Sequence, residues 1–399
     1  MSKQKLPSVT NVEVKDIVYN ISGIYKKYER EIKALLPTKK RHIISFIIKN
    51  TNSKIANGIR RTLIEEIPIK ILDVEIGDID TDEEFLIRDE FRDRVNLIPI
   101  DQDISVDATY IVDFVNTDTD QPWTRVYSKD IHGAPCDEKF SIAELRPGKH
   151  LLVSDIFVKE GYGYQNAKYS PVCRIKYKPL DFVDVNIVNS QGFFNRVMIP
   201  VSDILAATKA KKSGTTERTI HDLRILVIPD PSYRDMISET YKKKIPKYDA
   251  VITKKVQTVS SLHTAPETYL MEVETLGTIP PKQLIKMACQ SIYDRLKVIR
   301  DDLLPYQKDP ESEPSSIVRV EFTTDLTKVH IYNETHTIGE ILVFNVFQLD
   351  PSVPLVNKHL WHPLKRNITI NLNHAEPIKI LIDACELGMA QIKSVEKGF

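Results

Sequence analysis

One helix, written by the spacing of its apolar residues and stopped by a proline, limits what this chain can become. Ile55, Ile59, Leu63 and Ile67 recur every fourth residue with Ala56 alongside, while Lys54, Asn57, Arg61 and Glu65 fall opposite. Such a stripe needs a second apolar surface to cover it, and core packing alone accounts for Ile55, Ile59 and Leu63. Pro68 has no backbone N–H and disfavours helical geometry at Ile67, so the helix ends there. The asparagines and serine before Lys54 supply an N-cap, and the alternation from Ile69 to Ile79 predicts a strand.

At 399 residues the chain exceeds one ordinary core, so two or three domains are expected. The 55 basic and 55 acidic residues cancel, which argues against a uniform positive field and so against strong direct nucleic-acid binding. No apolar run approaches the roughly 18 residues of a membrane span and the first residues are polar, so the expectation is a soluble, intracellular protein with no membrane partner. Cys136, Cys173, Cys289 and Cys385 are too scattered for a zinc ribbon or a disulfide framework. No glycine-rich phosphate loop is present, nor any grouping of nucleophile, base and orienting residue; no catalytic residue and no cofactor is expected.

Taken in order, Val9–Val18 contains a short strand, Ile24–Leu36 is helical up to Pro37, and IISFIIK from Ile43 is a strand feeding the amphipathic helix. After Pro99 come short strands (TYIVDFV, RVYSKD, HLLVSDIFV, CRIKYK) separated by Asp, Gly and Pro, a β-rich insertion. From Pro179 to Ser260 no fold is assigned; its lysines, Lys209, Lys211, Lys212, Lys242, Lys243, Lys244, Lys254 and Lys255, read as solvated loops. A strand from Tyr269 ends at Gly277, and Pro280 and Pro281 open a long helix with an apolar seam of Ile285, Ala288, Ile292, Leu296, Ile299 and Leu303. PYQKDPESEPSS from Pro305 has the composition of a linker.

A second unit follows. Strands IVRVEF and KVHIYN lead to HTIGEILVFNVFQLD, where Thr337 and Glu340 have capping-box spacing and the helix is apolar nearly all round, so deep burial is expected. The last helix, Pro377–Val395, places Ile378, Leu381, Ile382, Cys385, Met389 and Ile392 on one side. Both units follow one plan: strand, turn, amphipathic helix ended by a proline, further strand, long final helix.

The paired Arg60 and Arg61, then IEEIP, then DEF followed by LIP, resemble the assembly motif of the α subunit of bacterial RNA polymerase and its archaeal and eukaryotic counterparts. VYSKD at Val126, GYGYQNAKYSPV from Gly161 and VETLGTIPP resemble the larger α-like subunit; YNETHTIGEIL and WHPLKRNITINL resemble the small one. Both on one chain are similar to the fused α-like subunit of large DNA viruses that transcribe in the cytoplasm. The resemblance implies an α+β fold of two α-type dimerisation units, fused head to tail into an intramolecular pseudo-dimer, with a β-rich insertion in the first unit. The implied divisions are 1–100 with 261–305 for the large unit, 101–260 for the insertion and extra segment, 306–316 for the linker and 317–399 for the small unit.

The implied function is a non-catalytic platform for the largest and second-largest polymerase subunits, joined by small platform subunits, with no homodimer needed. It would act in the host cytoplasm and virion if viral, in the nucleus if cellular. The unit-to-unit contact would use Ile55, Ile59, Leu63, Leu296, Ile299, Ile338, Ile341, Leu342, Leu381 and Cys385, and Arg60 with Arg61 would dock the second-largest subunit. Several family members carry a cysteine cluster for zinc or iron–sulfur in the insertion. Here only Cys136 lies between Asp101 and Gly161, so no metal is carried over.

One rival reading is a metal-dependent nucleic-acid enzyme built on Asp78, Asp80, Asp82, Glu83 and Glu84. That run lacks the glycine and terminal glutamate of a calcium loop, and a solvated turn is the simpler expectation. His359 and His362 have a ligand-like spacing but no cysteine or carboxylate neighbour to complete a site.

Overall fold

The computed structural model describes residues 6–17, 23–28, 30, 41–137, 139–180, 182–188, 194–200, 226–227, 267–360, 362 and 365–399. The lysine clusters between Lys209 and Lys255 and most of the helix expected over Ile24–Leu36 lie outside these residues; within the latter, Gly23–Tyr28 is a 3-10 turn. Strands β1 (Ser8–Asp16) and β2 (His42–Lys49) lead into helix α1 (Ser53–Glu65). Asn50 adopts φ 53°, a left-handed conformation that asparagine tolerates. Asn52 caps the helix, its Oδ1 accepting from the amides of Lys54 at 2.8 Å and Ile55 at 3.0 Å.

Strand β3 (Pro68–Val74) starts a second body with β4 (Ile79–Thr81), α2 (Arg88–Asn96), β5 (Thr109–Val115), β6 (Thr124–Tyr127), β7 (Ile131–His132), β8 (Ser141–Leu145) and β9 (His150–Tyr162). One sheet runs β3-β9-β5-β7 with β4 also on β9, and β6 pairs with β8. The strand expected from Ile69 to Ile79 therefore breaks at Val74. It also serves two cores: Ile69 and Ile71 belong to the first, Leu72 and Val74 to the second. The chain leaves the first sheet at β3, well before residue 101, because β3 finds its hydrogen-bonding partner in β9.

The return is equally early. Strand β10 (Val172–Pro179) pairs with β14 (Tyr269–Thr275), separated in sequence by β11 (Phe182–Val188), β12 (Phe194–Pro200) and β13 (Leu226–Val227), which form a small sheet of their own. The first sheet is thus β1-β2-β14-β10. Helix α3 (Pro281–Lys308) then passes through Pro305, so the linker begins at Asp309 instead of Tyr306. The missing amide of Pro305 falls in the last turns, and Tyr306 beyond it is held by burial in the core.

In the second unit β15 (Val318–Phe322), β16 (Thr327–Tyr332), α4 (His336–Leu349), β17 (Leu355–Leu360), β18 (Asn367–Asn373) and α5 (Pro377–Glu396) follow, with sheet order β15-β16-β18-β17. Asn333, at φ 59°, repeats Asn50 between strand and helix. Two expectations fail here. The cap of α4 is Thr335 rather than Thr337, and Glu340 is drawn into ion pairs instead of a capping box. Nor is α4 buried all round, since Phe347 and Leu349 are exposed.

One hydrophobic core runs through both four-stranded sheets and the helices between them. Helix α3 lies along α5, α1 packs on α3 and α4, and α4 packs on α5. Phe399 meets Phe46 edge-on at 4.7 Å, and the Ser394 hydroxyl donates to the Pro7 carbonyl at 2.6 Å.

A candidate assembly interface

The twelve residues singled out from sequence divide cleanly. Ile55, Ile59 and Leu63 of α1, Leu296 and Ile299 of α3, Ile338, Ile341 and Leu342 of α4, and Leu381 and Cys385 of α5 all sit in the one shared core. The contact is tight at Gly58, where an added Cβ would stand 3.3 Å from Ile341 Cδ1. Burial pushes the Cys289 thiol up to about 12 and raises that of Cys385 as well, so both remain protonated, apolar fillers.

Arg60 and Arg61 lie apart from this core, each half-buried on the flank of α1. Arg60 Nε donates to Asn57 Oδ1 at 2.9 Å and Arg61 pairs with Glu65 at 3.1 Å. Both guanidinium groups are anchored one turn away on their own helix, which orients them without burying them.

Charges that cross between the units are, Arg295 apart, not marked by any local pattern. Lys54 Nζ reaches Glu340 at 2.7 Å, and Lys358 reaches the same carboxylate at 3.0 Å. Burial pushes Glu340 up, yet the two ammonium groups hold it below the ordinary carboxylate range. Burial and Lys358 lower His336, whose Nδ1 lies 2.7 Å from Lys358 Nζ. Deeper in, Arg295 Nε donates to Glu334 Oε1 at 2.8 Å and Arg366 pairs with Glu66 at 2.6 Å while covering the Tyr164 ring at 4.1 Å. The position of Arg295 beside Leu296, inside an apolar seam, was the one sequence signal that a buried partner was required.

The segment GYGYQNAKYSPV clamps the inserted sheet onto α1. Tyr164 N–H donates to the Glu65 carbonyl at 3.1 Å, and a Cβ on Gly163 would collide with the Ile64 carbonyl oxygen. The acidic run is likewise structural. Glu83, with its side chain wholly enclosed, receives the Arg146 amide at 2.9 Å and its guanidinium at 3.0 Å, and Asp82 accepts from the His150 amide at 2.8 Å. Glu83 and Asp82 thus pin the turn before β9, while Asp80, Asp82 and Glu84 are exposed, as expected of a solvated turn. Among the described residues no three His, Cys, Asp or Glu side chains are grouped as metal ligands.

Comparison with known proteins bears on this arrangement. The chain is similar to the "DNA-directed RNA polymerase RPB3-11 homolog" of African swine fever virus, 22% identical across 96% of this chain and 94% of the relative. It is also similar to DNA-directed RNA polymerase subunit Rpo3 of Pyrococcus furiosus, 25% identical over 63% of this chain and 88% of that protein. Subunit 3 of the Arabidopsis thaliana DNA-directed RNA polymerases II, IV and V is 22% identical over 68% of this chain and 92% of its own length. The model of the RNA polymerase Rpb3/Rpb11 dimerisation domain matches residues 45–296, a span that opens in β2, takes in α1 and the inserted sheet, and closes on α3 at Leu296. Of the helices that meet in the shared core, α1 and the first part of α3 lie inside this match, and by it the chain belongs to the RNA polymerase Rpb3/Rpb11 dimerisation-domain family.

Proposed function

We propose that this chain is a non-catalytic assembly subunit of a DNA-directed RNA polymerase, in which two α-type units fused head to tail pair with each other as an intramolecular pseudo-dimer. The observation that carries the reading is the common core of two sheets with matching strand order, β1-β2-β14-β10 and β15-β16-β18-β17, joined through α1, α3, α4 and α5. Fusion supports it physically, because a short tether holds one unit at roughly millimolar effective concentration for the other. The large unit is assigned β1, β2, α1, β10, β14 and α3, the insertion β3 to β9, and the small unit β15 onward.

Its partners are other polymerase subunits: the largest and second-largest, and small platform subunits beside them. Arg60 and Arg61 dock the second-largest, a role that suits two oriented, half-exposed guanidinium forks. The viral relatives support a cytoplasmic place of action. Affinity purification of the tagged chain from its native source, followed by mass spectrometry, tests the proposal. Two very large subunits should come down in stoichiometric amount; a chain recovered alone or with unrelated proteins overturns it.

A further inference from the structure

The two units carry their charges unequally, and the inequality falls at the contact between them. The shared plan sets each residue of one unit against a counterpart in the other. Asn50 and Asn333 stand at the same left-handed turn after β2 and β16, so Thr51 corresponds to Glu334, Glu66 to Leu349, Lys54 to Thr337 and Asn57 to Glu340. The pairings Ile48 with Tyr269 and Ile331 with Ile368 place Glu267 opposite Arg366 in this correspondence. Ala288-Cys289 and Ala384-Cys385 sit alike in α3 and α5, which sets Arg295 against Gln391.

Among the described residues three ion pairs cross the contact: Arg295 with Glu334, Arg366 with Glu66, and Lys54 with Glu340. In each pair the counterparts of both partners lack the matching charge. If two first units paired by the same geometry, Arg295 would face Thr51, Glu66 would face Glu267, and Lys54 would face Asn57. If two second units paired, Glu334 would face Gln391, Arg366 would face Leu349, and Glu340 would face Thr337. Every cross-unit ion pair is lost in either like pairing. The first would also bring two carboxylates together, with Arg295 of the same unit, 3.8 Å from Glu66 and without Glu334, left as their cation, and the second would leave Glu334, only 7% exposed, without its cation.

We infer that Arg295, Glu334, Glu66 and Arg366 are the specificity residues of the pairing, a charge code that makes each unit accept the unlike unit and refuse a copy of itself. The inference rests on the pseudo-dimer reading above. Shape adds to this code at one place, where Gly58 receives Ile341, its own counterpart, whereas Ile55 and Ile338, Ile59 and Leu342, and Ile285 and Leu381 are equivalent apolar positions that tolerate exchange. Neutral or mismatched partners at a desolvated contact give rejection that hydrophobic area does not.

The test uses the full chain with a protease site placed between Glu311 and Ser312, cut in the folded state. The halves of the parent chain should stay together at one to one in size-exclusion chromatography with light scattering. Glu334→Arg sets a second cation against Arg295 and should weaken that association by about 30-fold or more, the typical effect of breaking a buried charge pair. The first halves it releases keep every native residue and should remain monomeric at concentrations where parent halves are paired. If circular dichroism of the uncut chain shows Glu334→Arg to be misfolded, Glu334→Gln is read in its place, with weakening of about tenfold expected. Association at parental affinity in the folded variant, or released first halves that pair with one another as tightly, overturns the charge code. Parent halves that separate as soon as they are cut overturn instead the pairing itself.

Discussion

The carboxylate of Asp73, wholly removed from solvent, receives Arg92 Nε at 2.8 Å and lies 3.4 Å from Lys168 Nζ. It ties the strand leaving α1 both to α2 and to the KYSP segment that returns from the insertion. Burial pushes its carboxyl up, but the Arg92 hydrogen bond, the Val74 amide and the Lys168 charge together hold it below the ordinary range. A depressed folded value means stability that is present above the unfolded pKa of about 3.9 and is lost as pH falls through the folded one. Asp73→Asn should therefore cost about 1–3 kcal/mol at neutral pH and flatten the dependence of stability on pH below about 4, as read by urea titrations at several pH values.

Gly388 of α5 faces a crowded point, since a Cβ there would stand 2.9 Å from Leu296 Cδ1 and 3.1 Å from Asn345 Nδ2. Asn345 is held in place by its bond to the Ala384 carbonyl at 3.0 Å. Overpacking of about 1–3 kcal/mol outweighs the roughly 1 kcal/mol that alanine gains over glycine in a helix. Gly388→Ala should lower the melting temperature in calorimetry, against the usual direction for that exchange.

Local pattern explains where reading the sequence succeeded. The cap at Asn52, the stop at Pro68 and the alternation of β5, β9 and β16 depend on residues a few places apart, and these elements fall where spacing placed them. Reading failed where the deciding partner was distant. Nothing between Ile69 and Ile79 reveals that β9 will claim β3, and Glu66 meets Arg366 across nearly the whole chain. Phe347 and Leu349 look like core from composition alone; only the position of α4 on α1 and α5 leaves them outside.

The four cysteines should differ sharply toward an alkylating reagent. Cys173 is exposed, although burial raises its thiol too, and Cys136 is partly exposed, whereas Cys289 and Cys385 are sealed in the core. Iodoacetamide at pH 8 with peptide mass spectrometry should mark Cys173 first, and the two core thiols only after denaturation.

Arg60→Glu with Arg61→Glu removes one half-buried helix pair and sets like charges beside Glu65, a loss of about 1 kcal/mol or less. The melting temperature should stay within a few degrees. Capture of the second-largest polymerase subunit should fall far more, because a carboxylate-guanidinium contact at a buried interface is worth about 2–5 kcal/mol, roughly 30-fold to several-thousand-fold. Normal capture by the folded double variant in a pull-down would remove these two arginines from that role.

Strand β2 is completed by β14, so the first sheet joins Ile48 to Tyr269, and the residues before Ile48 to those that follow Tyr269. On a ribosome adding roughly 5–20 residues per second, the apolar stripe of α1 emerges many seconds before the strand that helps enclose it. The inserted sheet, closed by its own neighbours, can form during that wait, whereas α1, which also touches β10, is not fully covered until α3 and α4 have been made. The insertion is thus the first part of the molecule able to close, and full enclosure of α1, whose residues are among the earliest made, waits for the last third of the chain.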